Sequence, residues 1–352
     1  MNDKLKWKAF AKNIKDWGRE LGFDYVGISD TNLNTQKEAY RAWIKAGFNG
    51  SMSFLKKHQE LKFSPESLVN NTISIISVRL DYMPLEENTL KVLKDKSRAY
   101  ISRYALGRDY HKVMRSKLKK LALKIKVESQ RIESNYRVFT DSAPVMEVEI
   151  AEKAGLGWRG KHTLLLNKDH GSWFFLGEIF TDLPIPSDNK LTSHCGTCSA
   201  CIDICPTKAI IAPYKLDARK CISYLTIENK GEIPIEYRKA IGNRVYGCDD
   251  CQIICPWNKY AKITRETDFR VRHKLNDLSL IDSFMFSEAD FNKIFNGSAI
   301  LRIGYQQWLR NIAIGLGNAP TSKEVINTLK SKLKTSSAMV KEHILWALEQ
   351  HK

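Results

Sequence analysis

The sequence predicts an α+β protein in three parts: a mixed α/β portion (residues 1–190), a compact cysteine-rich segment (191–262) and a short helical region (263–352). Three observations predict it. Helical and strand periodicities alternate up to about residue 180; all eight cysteines of the 352-residue chain fall between Cys195 and Cys255; and beyond Tyr260 only helical patterns follow.

From Lys4 to Leu21 the apolar residues Trp7, Phe10, Ala11, Ile14, Trp17 and Leu21 recur at helical spacing, and Phe23 to Ser29 then reads as a strand. A second helix covers Gln36 to Ala46. Thr72 to Tyr82 and Tyr136 to Thr140 are further strands. Between them Asp109 to Arg131 is a long basic helix with Tyr110, Met114, Leu118, Leu121 and Ile125 on its buried face. Val145 to Ala154 is a helix, and Leu164–Asn167 with Ser172–Ile179 form a hairpin across Lys168 to Gly171. Ile300 to Asn318, Glu324 to Leu333 and Ala338 to Glu349 are helices resembling a truncated HEAT-like repeat.

The cysteine run Cys195, Cys198, Cys201, Cys205-Pro206 has the C-x2-C-x2-C-x3-C-P spacing of two-cluster ferredoxins, and Cys221, Cys248, Cys251 and Cys255-Pro256 complete it. Three thiolates on one tight loop reach one cubane, while the fourth, followed by proline, points to its neighbour. The expected sets are therefore Cys195, Cys198, Cys201 and Cys255 for one [4Fe–4S] cluster, and Cys205, Cys221, Cys248 and Cys251 for the other. Structural zinc is the competing reading, although four cysteines in so short a run crowd a tetrahedral ion. Disulfides need an oxidising compartment, and the chain opens Met-Asn-Asp-Lys-Leu-Lys with no apolar leader. No apolar stretch approaches the ~18 residues of a membrane span; a soluble cytoplasmic protein is expected.

The formal charge is +17. Between Lys91 and Arg137, 15 basic residues face 4 acidic ones, the footprint of a polyanion partner or of a solvated helix face. Gly155-Leu-Gly157-Trp-Arg-Gly160 spells a dinucleotide fingerprint, but it follows a helix and leads into a strand, the reverse of what that motif requires. It reads instead as a turn admitting a large ligand.

Val138-Phe-Thr-Asp141-Ser-Ala-Pro144-Val-Met-Glu147 and Ala154-Gly-Leu-Gly-Trp-Arg-Gly160-Lys161-His162 resemble the signature of epoxyqueuosine reductases, cobalamin-dependent enzymes of tRNA modification. Arg103-Tyr104 to His111, Cys221 to Glu228 and Gly242 to Cys251 extend the resemblance to about Tyr260. It implies a nitroreductase/reductive-dehalogenase-like cobalamin-binding domain, a ferredoxin-like domain with two [4Fe-4S] clusters, and a HEAT-like C-terminal region that contacts tRNA. It implies base-off cobalamin without a histidine ligand to cobalt; of a D-x-H-x-x-G motif only Asp109 and His111 occur, with Met114 in place of the glycine. Asp141 matches the proton donor, expected to have its pKa raised by a dry pocket. Lys57, Arg103, Tyr104, Asp141, Lys161, His162 and Ser223 are the implied cofactor contacts. The implied partners are tRNA carrying epoxyqueuosine and an external low-potential electron donor, acting on a monomer. Competing readings are a cobalamin-dependent reductase of a small molecule, akin to reductive dehalogenases, and a ferredoxin-type electron carrier.

Overall fold

The computed structural model describes residues 3–86, 88–131 and 133–352. Its frame is an antiparallel sheet of β1 (Tyr25–Ser29), β2 (Ser74–Asp81), β3 (Tyr136–Phe139) and β4 (Phe174–Thr181), in the order β1-β2-β4-β3. β2 is buried along its whole length; Ile75, Ile76, Val78 and Leu80 supply apolar side chains to both covered faces, and Ser74, Ser77 and Arg79 are buried with them. On one face lie α1 (Asp3–Glu20) and α2 (Tyr110–Glu128), closing a core of Ile14, Val26, Val78, Met114, Leu118 and Leu121. Met114 is fully buried there, so this position belongs to the core. On the other face α3 (Glu147–Lys153) packs Ile150 against Ile75, Phe139 and Phe180. Gly27 permits that approach: a Cβ there would meet the Ala154 carbonyl at 2.0 Å.

The expected hairpin does not form as a pair of strands. Lys168 to Gly171 does turn, with Asn167 and Gly171 exchanging backbone hydrogen bonds, but the arms then diverge. Leu165–Leu166 pairs with Trp158–Arg159, whereas β4 enters the centre of the main sheet between β2 and β3. Apart from Glu178 and Thr181, β4 is apolar on both faces, and central pairing buries both.

A strand the periodicity does not reveal, Arg98–Ile101, joins the three parts of the chain. It pairs in parallel with Arg244–Tyr246 and antiparallel with Leu278–Ser279. Around it one continuous core collects Ile101, Ile222, Val245, Phe284, Trp308 and Ile344. The C-terminal helices are α4 (Gly304–Gly317), α5 (Lys323–Leu333) and α6 (Ala338–Glu349).

Buried polar groups fasten α4 to the cysteine-rich segment. The Arg310 guanidinium, 0% exposed, donates to the carbonyls of Leu225 (2.9 Å), Asn229 (2.7 Å) and Gly231 (2.6 Å). Asn311 donates to those of Thr226 and Val245, both at 2.8 Å. Burial pulls Arg310 down to about 10, which still leaves it charged at neutral pH. Arg310→Met keeps much of the volume but strips several buried carbonyls of their donor. With about 1–3 kcal/mol for each buried group left unsatisfied, a loss of at least about 3 kcal/mol is expected in urea denaturation of the intact protein.

Candidate active site

A cavity of about 490 Å³ opens where the main sheet meets the cysteine-rich segment. The sheet side supplies Tyr82 after β2, Thr140 and Asp141 after β3, and Phe174 and Phe175 at the start of β4. The opposite side supplies Cys205, Cys221, Cys248 and Cys251 with Ile222 and Ser223. A second cavity of about 820 Å³ adjoins it, sharing Glu147, Val148, Thr163 and Leu216. Cys195, Cys198, Cys201 and Cys255 line a separate recess of about 50 Å³ with Lys161, His162 and Trp257.

All eight thiols are free. Burial raises Cys201 to about 11 and holds Cys248 and Cys251 well above the usual thiol range. Such thiols lose their protons readily only to a metal that replaces them. The turn Cys248 to Cys251 is fixed by Asp249, whose carboxylate accepts from Tyr100 Oη (2.6 Å), Ser102 Oγ (2.5 Å) and the Arg103 backbone N–H (2.9 Å).

Asp141 sits in the turn after β3 with φ at +56°, in the left-handed region that Asp tolerates better than most residues. Its backbone N–H donates to Glu147 Oε1. Its Oδ2 accepts from Tyr110 Oη at 2.6 Å and lies 3.1 Å from His111 Nε2. His111 Nδ1 is 2.8 Å from Asp109 Oδ1, and Asp109 also caps α2 by accepting the His111 backbone N–H. Tyr110 is held flat, its ring stacked on Phe175 at 4.1 Å. The Asp141 side chain is 49% exposed and lines the cavity.

The electrostatics reverse the expectation for Asp141. Burial raises its pKa, yet the hydrogen bonds from His111 and Tyr110 outweigh burial and hold it below the usual carboxylate value. Burial likewise opposes the charge of His111, but Asp109 and Asp141 lift it to about 9. At neutral pH the proton therefore rests on the imidazole, one hydrogen bond behind the carboxylate.

Two family models match the chain. Residues 62–142 match "Epoxyqueuosine reductase QueG, DUF1730", and residues 194–258 match a 4Fe-4S double cluster binding domain. An epoxyqueuosine reductase of Pseudomonas aeruginosa is 52% identical over 97% of this chain and 94% of its own length. The chain belongs to the epoxyqueuosine reductase family. The fold agrees: the epoxyqueuosine reductase structure from Streptococcus thermophilus superposes with a TM-score of 0.87 at 28% identity, covering 97% of this chain and 90% of that one. Another, solved with an epoxyqueuosine-modified tRNA-Tyr stem loop, gives 0.82 at 23% identity, covering 97% and 98%.

Of the residues that the likeness to epoxyqueuosine reductases singles out, Asp141, Tyr104, His162 and Ser223 line the cavity. Tyr104, pushed up to about 12 by burial, points its hydroxyl at that of Tyr246, 3.3 Å away. His162, 3% exposed, lines both the cavity and the recess. Its Nδ1 accepts from the Leu164 backbone N–H at 3.1 Å, and burial lowers it to about 4, leaving a neutral ring. Three others are not brought to the cavity lining. Lys57 ends the exposed helix Ser53–Lys57. The Arg103 guanidinium lies 4.3 Å over the Trp173 ring and bonds Thr89. Lys161 Nζ donates to the carbonyls of Gly196 (2.7 Å) and Cys198 (2.8 Å), tying the first thiol loop.

The basic helix α2 divides by partner. Lys117 is paired with Glu266 at 2.7 Å and Lys124 with Glu20 at 2.9 Å, and the Arg115 guanidinium donates to Ser142 Oγ; Lys112, Arg115, Lys119 and Lys120 are exposed. Sequence reading missed His111 and Tyr110 as site residues, and buried Lys62, which lines the second cavity. The signal for the first two was available: a capping aspartate at 109 sets residues 110 and 111 in the first helical turn, facing whatever precedes the helix.

The raised pKa of His111 has a sign. Stability from this group is fully present below its unfolded value of about 6.5 and is lost as pH rises through about 9. NMR titration of the His111 ring should give a midpoint near 9. Asp109→Asn should lower that midpoint by at least about one unit and reduce the loss of thermal stability between pH 7 and 9. An unchanged midpoint would show that Asp109 does not hold the charge.

Proposed function

We propose that this chain reduces epoxyqueuosine in tRNA to queuosine, with two [4Fe–4S] clusters, base-off cobalamin and a proton delivered through Asp141. The observation that carries this reading is one cavity with a proton-relay carboxylate on one wall and four thiols on the other. Membership of the family and the fold neighbour solved with a modified stem loop support the substrate.

The donor sets fit the cofactors. Four thiols at the cavity and four at the recess suit two cubanes, Cys205, Cys221, Cys248 and Cys251 for the inner and Cys195, Cys198, Cys201 and Cys255 for the outer. Cys198 is exposed, so the outer cluster is the entry point for an external donor and the inner cluster delivers to the cavity. Two joined cavities, each as large as a drug-sized ligand needs, suit a large flat cofactor with an extended tail. Leu164, Leu165, Phe174 and Phe175 offer apolar walls, with Tyr104, His162 and Ser223 as polar contacts. With Nδ1 already accepting a hydrogen bond, His162 carries its proton on Nε2 and is a donor rather than a cobalt ligand. When bound, these cofactors supply single electrons and a low-valent cobalt nucleophile.

The protein's own task is the proton. His111 is charged in the substrate-free state, and a large ligand filling the cavity dries the exposed side of Asp141. Loss of water raises the carboxylate's affinity for a proton, which passes from His111 Nε2 through Asp141 to the epoxide oxygen. Tyr110 keeps the acceptor oxygen in line. The exposed Lys112, Arg115, Lys119 and Lys120 lie on the helix that begins at this relay, in place to hold tRNA phosphates without reading sequence. Among the described residues no helix is long and apolar enough to cross a membrane.

Anaerobic incubation with cobalamin, a low-potential reductant and epoxyqueuosine-containing tRNA should yield queuosine by nucleoside mass analysis. Unaltered epoxyqueuosine would overturn the reading. Asp141→Asn should retain clusters and cobalamin while turnover falls about a hundredfold or more, the usual scale for losing a positioned acid.

The ligand sets have their own test. Cys205→Ala should lose the inner cluster and keep the outer one, as judged by iron content and EPR. Selective loss of the cluster held by Cys195, Cys198 and Cys201 would refute the crossed arrangement.

A further inference from the structure

We infer that Glu147, paired with Glu178, is a second proton-donating residue of this cavity. The inference rests on the reductive reading above. Converting an epoxide to an alkene breaks two C–O bonds, forms a C=C bond and releases the oxygen as water. Two electrons arrive from the external donor through the clusters, and two protons must reach that oxygen. His111 with Asp141 accounts for one of them.

Glu147 is placed for the other. Its Oε1 accepts the Asp141 backbone N–H, and it lines the same cavity as the Asp141 carboxylate, at the junction with the second cavity. Behind it, Glu178 of β4 is 0% exposed, in register with Phe139 on one side and Ser77 on the other. Among the described residues no donor reaches either Glu178 oxygen; its polar neighbour is the Glu147 carboxyl.

Two facing carboxyls in a sheet core cannot both be ionised at tolerable cost; one retains a proton that hydrogen-bonds to the other. The remaining ionisable groups facing Glu147 are Asp141 and Tyr110, which disfavour its negative charge or are neutral, and Lys62, which favours it. Burial, then the charge of Asp141, raises Glu147 to about 8, and burial with Glu147 raises Glu178 well above the usual range. At neutral pH the pair therefore stores a proton beside the cavity. After Asp141 has passed its first proton to the epoxide oxygen, the Glu147 proton converts the departing hydroxide to water.

A purely structural role, propping the Asp141 turn, makes a different forecast, because Glu147→Gln keeps the oxygen that accepts the Asp141 N–H. In the cluster- and cobalamin-loaded enzyme, wild-type turnover should fall above about pH 8, as Glu147 loses its proton, with a further loss near 9 from His111. Glu147→Gln should lower turnover about a hundredfold and abolish the limb near 8 while keeping the one near 9. Infrared spectra of the holoenzyme without tRNA should show protonated carboxyl absorption at pH 7 with a component that titrates near 8; Glu147→Gln should abolish that titrating component, and Glu178→Gln should shift it. That measurement stands if the Glu147→Gln variant folds poorly, since Glu178→Gln and the wild-type pH titration of the component suffice. Absence of the titrating component, or unchanged turnover and pH profile in Glu147→Gln, would overturn the inference. If wild-type enzyme makes no queuosine yet shows the component, the reductive reading itself has failed and the inference falls with it.

Discussion

The site depends on one buried carboxylate that joins two halves of the chain. Asp249, 1% exposed and set between Cys248 and Cys251, accepts hydrogen bonds from Tyr100, Ser102 and the Arg103 backbone. A buried carboxylate without donors is among the costliest groups in a protein interior, so these donors must be in place whenever the thiol turn is. The strand Arg98–Ile101 that delivers them is also the centre of the small sheet shared by all three parts of the chain. The inner thiols are consequently held at a set distance from the main sheet, and the cavity is the space left between.

That geometry separates two kinds of chemistry. On the proposed reading electrons belong to the cysteine-rich wall, where four thiols line the cavity and one member of the outer set, Cys198, meets solvent. On the same reading protons belong to the sheet wall, where Asp109, His111, Tyr110 and Asp141 form a chain of short contacts ending at the lumen. Each wall alone is ordinary: a ferredoxin has the first, and many capped helices carry something like the second. Their opposition across one cavity distinguishes a reductase from an electron carrier.

Much of this was legible in the residues themselves. Thiol spacing is a local constraint, set by how far one loop can reach around a cubane, and so the two cysteine sets could be written down before any fold was known. β2 and α2 announced themselves by periodicity. What was not legible was set by long-range contacts. Arg98–Ile101 is too short to display a period, and its partners lie more than 140 residues away. β4 read as one arm of a hairpin because its turn is real; only the competition for the sheet centre sends it elsewhere. The expected rise in the pKa of Asp141 considered burial alone, whereas His111 and Tyr110, placed by a helix cap some 30 residues earlier, reverse its sign in the open cavity. Arg103 shows the reverse: its guanidinium stacks on Trp173, a tertiary partner no motif discloses.

The opposition of the two walls is tested most directly by EPR of the protein loaded with both clusters and cobalamin, poised where cobalt is still Co(II) and the inner cluster is reduced. The expected spectrum is base-off Co(II), without splitting from an axial nitrogen, and broadened by magnetic interaction with the nearby cluster; Cys205→Ala should remove the broadening. A base-on signal, or a Co(II) signal indifferent to the reduction of the inner cluster, would contradict a shared cavity.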